Sequence, residues 1–141
     1  MNIQGSYDVR NFNINSDREI QRLRTQTHLG WKKEARTLLW FGLQDGMSVL
    51  ELGNGPGFTT EQLLSLLPNS SVTAVDIDPI MVKHAKQYLQ GISEERIKLI
   101  EASIMDSGLP DNTFDFAVAR FLFQHLPDPV GAVKEVCRVL K

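Results

Sequence analysis

The spacing of apolar positions changes along the chain, and with it the predicted elements. Residues 1–15 are polar and irregular, with Tyr7 and Phe12 as isolated aromatics. Ser16 followed by Glu19 reads as a capping box, after which Ile20, Leu23, Thr27 and Trp31 recur at helical spacing. Gly30 is a candidate break between two helices; the second carries Ala35, Leu38 and Leu39 and ends near Gly42. From residue 47 the runs shorten. Residues 47–52 are an apolar strand leading into Gly53-Asn54-Gly55-Pro56-Gly57. Thr59 with Gln62 forms a second capping box, opening a helix with Leu63, Leu64, Leu66 and Leu67 that Pro68-Asn69 stops. Ser71–Asp76 is short and rich in β-branched residues, so it reads as a strand. Asp78 as cap and Pro79 at the first helical position open another helix, with Ile80, Val82, Ala85 and Leu89 inward and Gly91 at its close. Ile97–Glu101 and 114–119 read as strands. Residues 130–140 form a last helix with Val133, Val136, Cys137 and Leu140 inward.

Strands alternating with helices imply right-handed crossovers and a parallel α/β sheet. Composition narrows the class further. A chain of 141 residues, 42% of them hydrophobic, suits one domain with a real core. A formal charge of −2 gives no electrostatic reason to expect nucleic acid, and no Lys/Arg run addresses an anionic membrane. The polar start lacks an apolar signal core, and no stretch reaches the ~20 apolar residues of a membrane span. The expectation is a cytoplasmic globular domain. Cys137 is the only cysteine, which excludes an intrachain disulfide; its apolar setting predicts a small core residue. No Cys/His/Asp spacing suggests a metal site, and His28 and His84 have no partner pattern.

Candidate chemistry gathers around Glu51-Leu52-Gly53-Asn54-Gly55-Pro56-Gly57. Glycines between a strand and a helix allow a tight turn and let a ligand approach the main chain with no Cβ in the way. The helix N-terminus that follows offers free N–H groups and partial positive charge. Asp76 ends the next strand, 19 residues after Gly57. In a doubly wound sheet a carboxylate there lies beside the glycine turn and can accept both ribose hydroxyls; otherwise it merely starts the turn into Asp78-Pro79. A dinucleotide fold expects Gly-x-Gly-x-x-Gly around a pyrophosphate. Here the glycines stand at 53, 55 and 57 with Phe58 next, so that spacing fails. Glu51 would also repel a pyrophosphate, whereas it suits a ligand bearing an ammonium and a sulfonium.

At this point VLELGNGPG resembles motif I of class I S-adenosylmethionine-dependent methyltransferases. AVDIDPIMVKHA resembles their acidic second-strand motif, and LPDNTFDFAVARFLFQHLPDPVGAVKEVCRVLK the fourth-strand region of the small-molecule branch. The resemblance covers residues 46–141 and implies a Rossmann-like parallel sheet of strand order 3-2-1-4, preceded by a helical segment or lid over residues 1–45. It implies S-adenosyl-L-methionine as cofactor and a small-molecule methyl acceptor. Glu51 would lie near the methionine amino group, with Gly53, Asn54, Gly55 and Gly57 in the loop beneath the ligand. Asp76 would hold the ribose and Ile77 would pack on adenine. Family members often carry an acidic residue after the third strand; here Ser103 stands there, followed by Ile104, and Asp106 is the substitute if the loop is shifted. Arg120 is placed to reach the methionine carboxylate, or else pairs with an acidic neighbour at the surface. His125 fits a general base near neutral pH, but the family often has histidine there without using it so, which favours a structural role. Tyr7, Arg24 and Gln26 are the polar candidates on the lid.

Four strands are read where the resembled family has seven. That implies an incomplete domain and a fourth strand left at a sheet edge, where a second copy could pair with it. The competing readings are a dehydrogenase domain and a non-catalytic cofactor-binding module.

Overall fold

The computed structural model describes residues 16–141. In chain order the elements are α1 (Ser16–Trp40), β1 (Ser48–Leu52), α2 (Phe58–Leu66), β2 (Ser71–Asp76) and α3 (Pro79–Tyr88), then β3 (Ile97–Glu101), β4 (Phe116–Ala119) and α4 (Pro129–Val139). A short 3₁₀ turn at Phe123–His125 separates β4 from α4. The sheet runs β3-β2-β1-β4, and every pairing is parallel. This is the strand order the motifs imply. The chain moves outward from β1 to β3 and then crosses back to place β4 on the other side of β1. The order reverses between β1 and β4, and in open parallel sheets ligands lie at the carboxyl ends beside such a reversal.

Side chains of a strand alternate between faces, and the core follows that alternation. Val49 and Val72 pack with Leu63, Leu64, Leu67 and Val118, while Trp31 and Leu38 of α1 close that side. Leu50, Leu52 and Val75 face the opposite way, against Ile104, Phe114, Ala132 and Val139. Glu51 shares the Val49 face. A carboxylate therefore enters the layer between β1 and α2.

Several local expectations change. Helix α1 runs unbroken through Gly30, because its buried stripe of Thr27, Ala35 and half-buried Trp31 holds the helix across one weak residue. The Ser16 side chain of the first expected capping box lies outside the described residues. The second box does not form: α2 begins at Phe58, capped by Gly57 in the left-handed region at φ 95° with no side-chain hydrogen bond. Thr59 lies inside the first turn and is buried. Asp78 does cap α3, accepting from the Ile80 N–H at 2.9 Å. In α3 the buried residues are Met81, Val82 and Ala85, with Ile80 half-buried. Strand β4 starts at Phe116; Phe114 belongs instead to a bridge with Leu140.

Helix α4 corrects the largest expectation. Cys137 is exposed and Val133 is 49% exposed. The helix packs through Ala132, Val136, Val139 and Leu140, so Val136 and Leu140 face inward as expected while Ala132 and Val139 take the places expected of Val133 and Cys137. The cause is that Ala132 and Val139 seat on Phe114 and Leu52, which fixes the roll of the helix. Among the described residues no helix is long and apolar enough to cross a membrane.

Candidate functional site

A cavity opens at the carboxyl ends of the strands, and each strand contributes the residues that follow it. Glu51, Gly53, Asn54 and Gly55 come from β1, Asp76 and Ile77 from β2, Ser103 and Ile104 from the β3 end, and Arg120, Phe121 and His125 from beyond β4. Helix α1 closes one side with Arg22, Leu23, Gln26 and Thr27.

The glycine turn is built for close approach. Gly53 donates to the Val75 carbonyl at 2.7 Å, continuing the sheet by one bond, and then turns away at φ 69°. Gly55 sits at φ 54°, and the space where a Cβ would stand is open for 4 Å around. Any side chain there would project into that space. Gly57 has a different task. It is absent from the cavity wall, and a Cβ on it would meet Leu89 Cδ1 at 3.1 Å and Ala85 Cβ at 3.3 Å. Its role in this geometry is close packing of α2 on α3. Asn54 is buried; its amide donates to the Gly55 carbonyl at 2.7 Å, while its Oδ1 has no hydrogen-bond partner among the described residues.

Two carboxylates flank this turn, and both are held away from their ordinary state. Glu51 is 3% exposed, and its Oε2 accepts from Thr60 Oγ1 at 2.5 Å. Burial pushes its carboxyl up to about 7; the Thr60 hydrogen bond and the Arg120 charge oppose the shift, and the Asp76 charge adds to it. Asp76 accepts from the Gly55 N–H at 2.8 Å and the Asp78 N–H at 2.9 Å. Burial raises its pKa as well, against those backbone bonds. Neither carboxylate has a salt bridge among the described residues. Two desolvated acids with no direct counter-ion favour a ligand that brings positive charge and hydroxyl donors.

Arg120 lines the cavity and is paired within the chain. Its guanidinium pairs with Glu34 of α1, donating to Glu34 Oε1 at 2.7 Å, and it also donates to Thr59 Oγ1 at 2.5 Å. Thr27 Oγ1 lies within 3.4 Å. The arginine thus ties α1, the β4 end and the first turn of α2 together, and it also lines the cavity. The Ser103 hydroxyl accepts from the Met105 N–H at 3.2 Å, and Asp106 is exposed and off the cavity wall. His125 lines the cavity, and its Nε2 lies 3.1 Å from Gln124 Nε2. Gln26 lines the cavity, Arg24 does not, and Tyr7 lies outside the described residues. Sequence reasoning missed Thr60, Thr59, Glu34 and Phe121. A hydroxyl one helical turn after a glycine loop that follows a buried acid is a readable signal for Thr60. Nothing local marks Glu34, which meets Arg120 across 86 residues.

A model described as a methyltransferase domain matches residues 50–141. The chain belongs to this methyltransferase-domain family. It is similar to 2-methyl-6-phytyl-1,4-hydroquinone methyltransferase 1 (chloroplastic) of Oryza sativa subsp. japonica, at 32% identity over 96 residues, covering 68% of the chain and 28% of that protein. It is similar to demethylmenaquinone methyltransferase of Listeria welshimeri, at 27% identity over 126 residues, covering 89% of the chain and 52% of that protein. Among solved structures, a SAM dependent methyltransferase from Aquifex aeolicus superposes with a TM-score of 0.77 at 30% identity, over 87% of this chain and 66% of that one. The chain spans about half the length, or less, of these curated relatives.

S-adenosylmethionine is the cofactor that membership of the methyltransferase-domain family brings. Three features of the site fit it. The open space over Gly55 admits a ligand against the main chain. The buried Asn54 Oδ1 lacks a donor among the described residues. The two raised carboxylates suit an ammonium and a ribose diol.

Proposed function

We propose that this chain binds S-adenosylmethionine across the carboxyl ends of β1 and β2 and serves methyl transfer to a small-molecule acceptor. The observation that carries the reading is the pair of buried carboxylates, Glu51 and Asp76, on either side of a glycine turn with open space above it. Glu51 holds the methionine ammonium, Asp76 the ribose hydroxyls, and Gly53, Asn54 and Gly55 form the floor. Ile77, 41% exposed on the cavity wall, offers an apolar face to the adenine, with Ser103 and Ile104 beyond it. Helix α1 is the lid, held down by Arg120 through Glu34.

Bound S-adenosylmethionine supplies a methyl group already activated by its sulfonium. The residues therefore need to hold the acceptor in line and keep water away rather than generate a strong nucleophile. Burial of Glu51 and Asp76 serves this directly, because an ammonium held in a desolvated site is fixed more firmly than one in water. His125 stays a structural residue in this reading, its Nε2 turned to Gln124. The names of the hydroquinone and menaquinone relatives support an acceptor of quinol type.

A dehydrogenase reading would set a pyrophosphate beside Glu51, where a second negative charge worsens an already unfavourable burial. Calorimetric titration of the chain with S-adenosylhomocysteine and, separately, with NAD decides between them. Binding of S-adenosylhomocysteine alone is expected; binding of NAD without S-adenosylhomocysteine overturns the proposal.

A further inference from the structure

The turn after β4 contains a residue whose conformation is costly. Phe121 has φ 52°, in the left-handed region that a bulky side chain rarely adopts. It is also 59% exposed, although it is one of the largest apolar side chains in the chain. Its neighbours explain why the backbone turns there. Arg120 must point inward to reach Glu34 and Thr59. Leu122 must lie under the glycine turn, so close that a Cβ on Gly53 would come within 3.1 Å of Leu122 Cδ1. The residue between them is thrown outward. Glycine would meet that demand with no steric cost and without exposing apolar surface. A phenylalanine carries both costs, and within the described residues the return is a single cation–π contact, with Arg120 Cζ 5.7 Å from the ring centroid.

Phe121 lies on the cavity wall, on the side away from β2 and β3. If the cofactor spans β1 to β3, with its methionine end at Glu51, then the space over β4 is where an acceptor must stand. Gln124 and His125 line the same mouth and offer polar atoms to a hydroxyl. A ring with a guanidinium near it and more than half its surface open is a surface for offset stacking.

We propose that Phe121 is the specificity-determining platform of this site: it stacks on a planar aromatic acceptor that bears a hydroxyl and discriminates against saturated rings of the same size. The inference rests on the cofactor reading above and adds the residue that selects the acceptor.

The test uses 1-naphthol and its saturated counterpart, decahydro-1-naphthol, with the chain saturated in S-adenosylhomocysteine. Saturation-transfer NMR gives both affinities. Wild type should prefer 1-naphthol by about tenfold, and Phe121→Ala should lose about five- to tenfold of its 1-naphthol affinity while binding the saturated alcohol as before. Phe121→Tyr should keep the preference. Phe121→Gly relieves the backbone strain, so it should raise the melting temperature while losing the preference, which separates a lost platform from a damaged fold. Equal affinity of wild type for the two alcohols, or an unchanged preference in Phe121→Ala and Phe121→Gly, overturns the proposal. If S-adenosylhomocysteine binds normally in those samples, the cofactor reading survives that result; if it fails to bind wild type, both fall.

Discussion

Two groups of carboxylates on this chain respond to their surroundings in opposite senses. On the outer side, Glu135 of α4 accepts from Arg138 at 2.6 and 2.9 Å and from the Ser107 hydroxyl and N–H at 2.7 and 3.1 Å. The Arg138 hydrogen bonds, aided by Ser107 and opposed by burial, hold its carboxyl down at about 2. Asp111 shares the same arginine. That cluster pins the β3–β4 connection to α4, with both carboxylates paired to one arginine. At the cavity, Glu51 is pushed the other way, to about 7, with one hydroxyl as its direct partner. Asp76 has backbone N–H groups and a raised pKa. Glu135 and Asp111 share a cation within the chain, whereas Glu51 and Asp76 have no salt bridge among the described residues.

The largest expected effect comes from neutralising Glu51. Glu51→Gln keeps a side-chain oxygen for Thr60 but removes the buried charge. In the ligand-free chain at pH 8, urea unfolding should show a gain of up to about 3 kcal/mol, the whole shift between 4.5 and about 7. Binding of S-adenosylhomocysteine should instead weaken by about 10- to 100-fold, since a charge-assisted bond to its ammonium is lost. Stability and binding moving apart is the signature of a ligand-directed acid. A loss of both would return Glu51 to the scaffold class.

Glu51 and Asp76 were legible in the sequence because each ends a strand beside a glycine or an Asx turn, and local spacing carries that information. The strand order 3-2-1-4 came with the family resemblance of the motifs, and the sheet has it. What was not legible depends on contacts between distant segments. The pairing of Arg120 with Glu34 arises because α1 folds over the sheet as one helix. Gly57 turns out to let α2 pack closely on α3, which only the positions of Ala85 and Leu89 reveal. On α4 the expected Val136 and Leu140 do pack inward, while Val133 and Cys137 are exposed, because the partner surface decides which apolar positions are covered.

Asp76→Ala should come next in size. It removes an acceptor from the Gly55 and Asp78 N–H groups as well as from the ribose, and S-adenosylhomocysteine should bind about 1–3 kcal/mol more weakly by calorimetry. Unchanged affinity would take Asp76 out of the site.

Glu135→Gln should have the smallest effect, because Arg138 is partly exposed and Asp111 more so. A loss of about 0.5–1 kcal/mol in urea unfolding is expected, with S-adenosylhomocysteine affinity unchanged. The pH dependence gives the sharper contrast. Glu135, depressed when folded, contributes stability that is present above 4.5 and is lost as pH falls toward about 2. Glu51, raised when folded, contributes stability that is present below 4.5 and is lost as pH rises through about 7. Between pH 5 and 8 the wild type should therefore lose stability, and Glu51→Gln should lose markedly less, as read from unfolding curves at each pH. A flat wild-type profile would remove the distinction between the two clusters.

The central claim is that the glycine turn and its two buried acids form a site for a positively charged nucleoside ligand. The direct measurement is calorimetric titration with S-adenosylhomocysteine at pH 7 in two buffers of different ionisation enthalpy. A carboxyl near 7 that must ionise to hold the ammonium should release about half a proton on binding, and Glu51→Gln should abolish that release. Binding with no proton release in wild type, or no binding at all, would contradict the account.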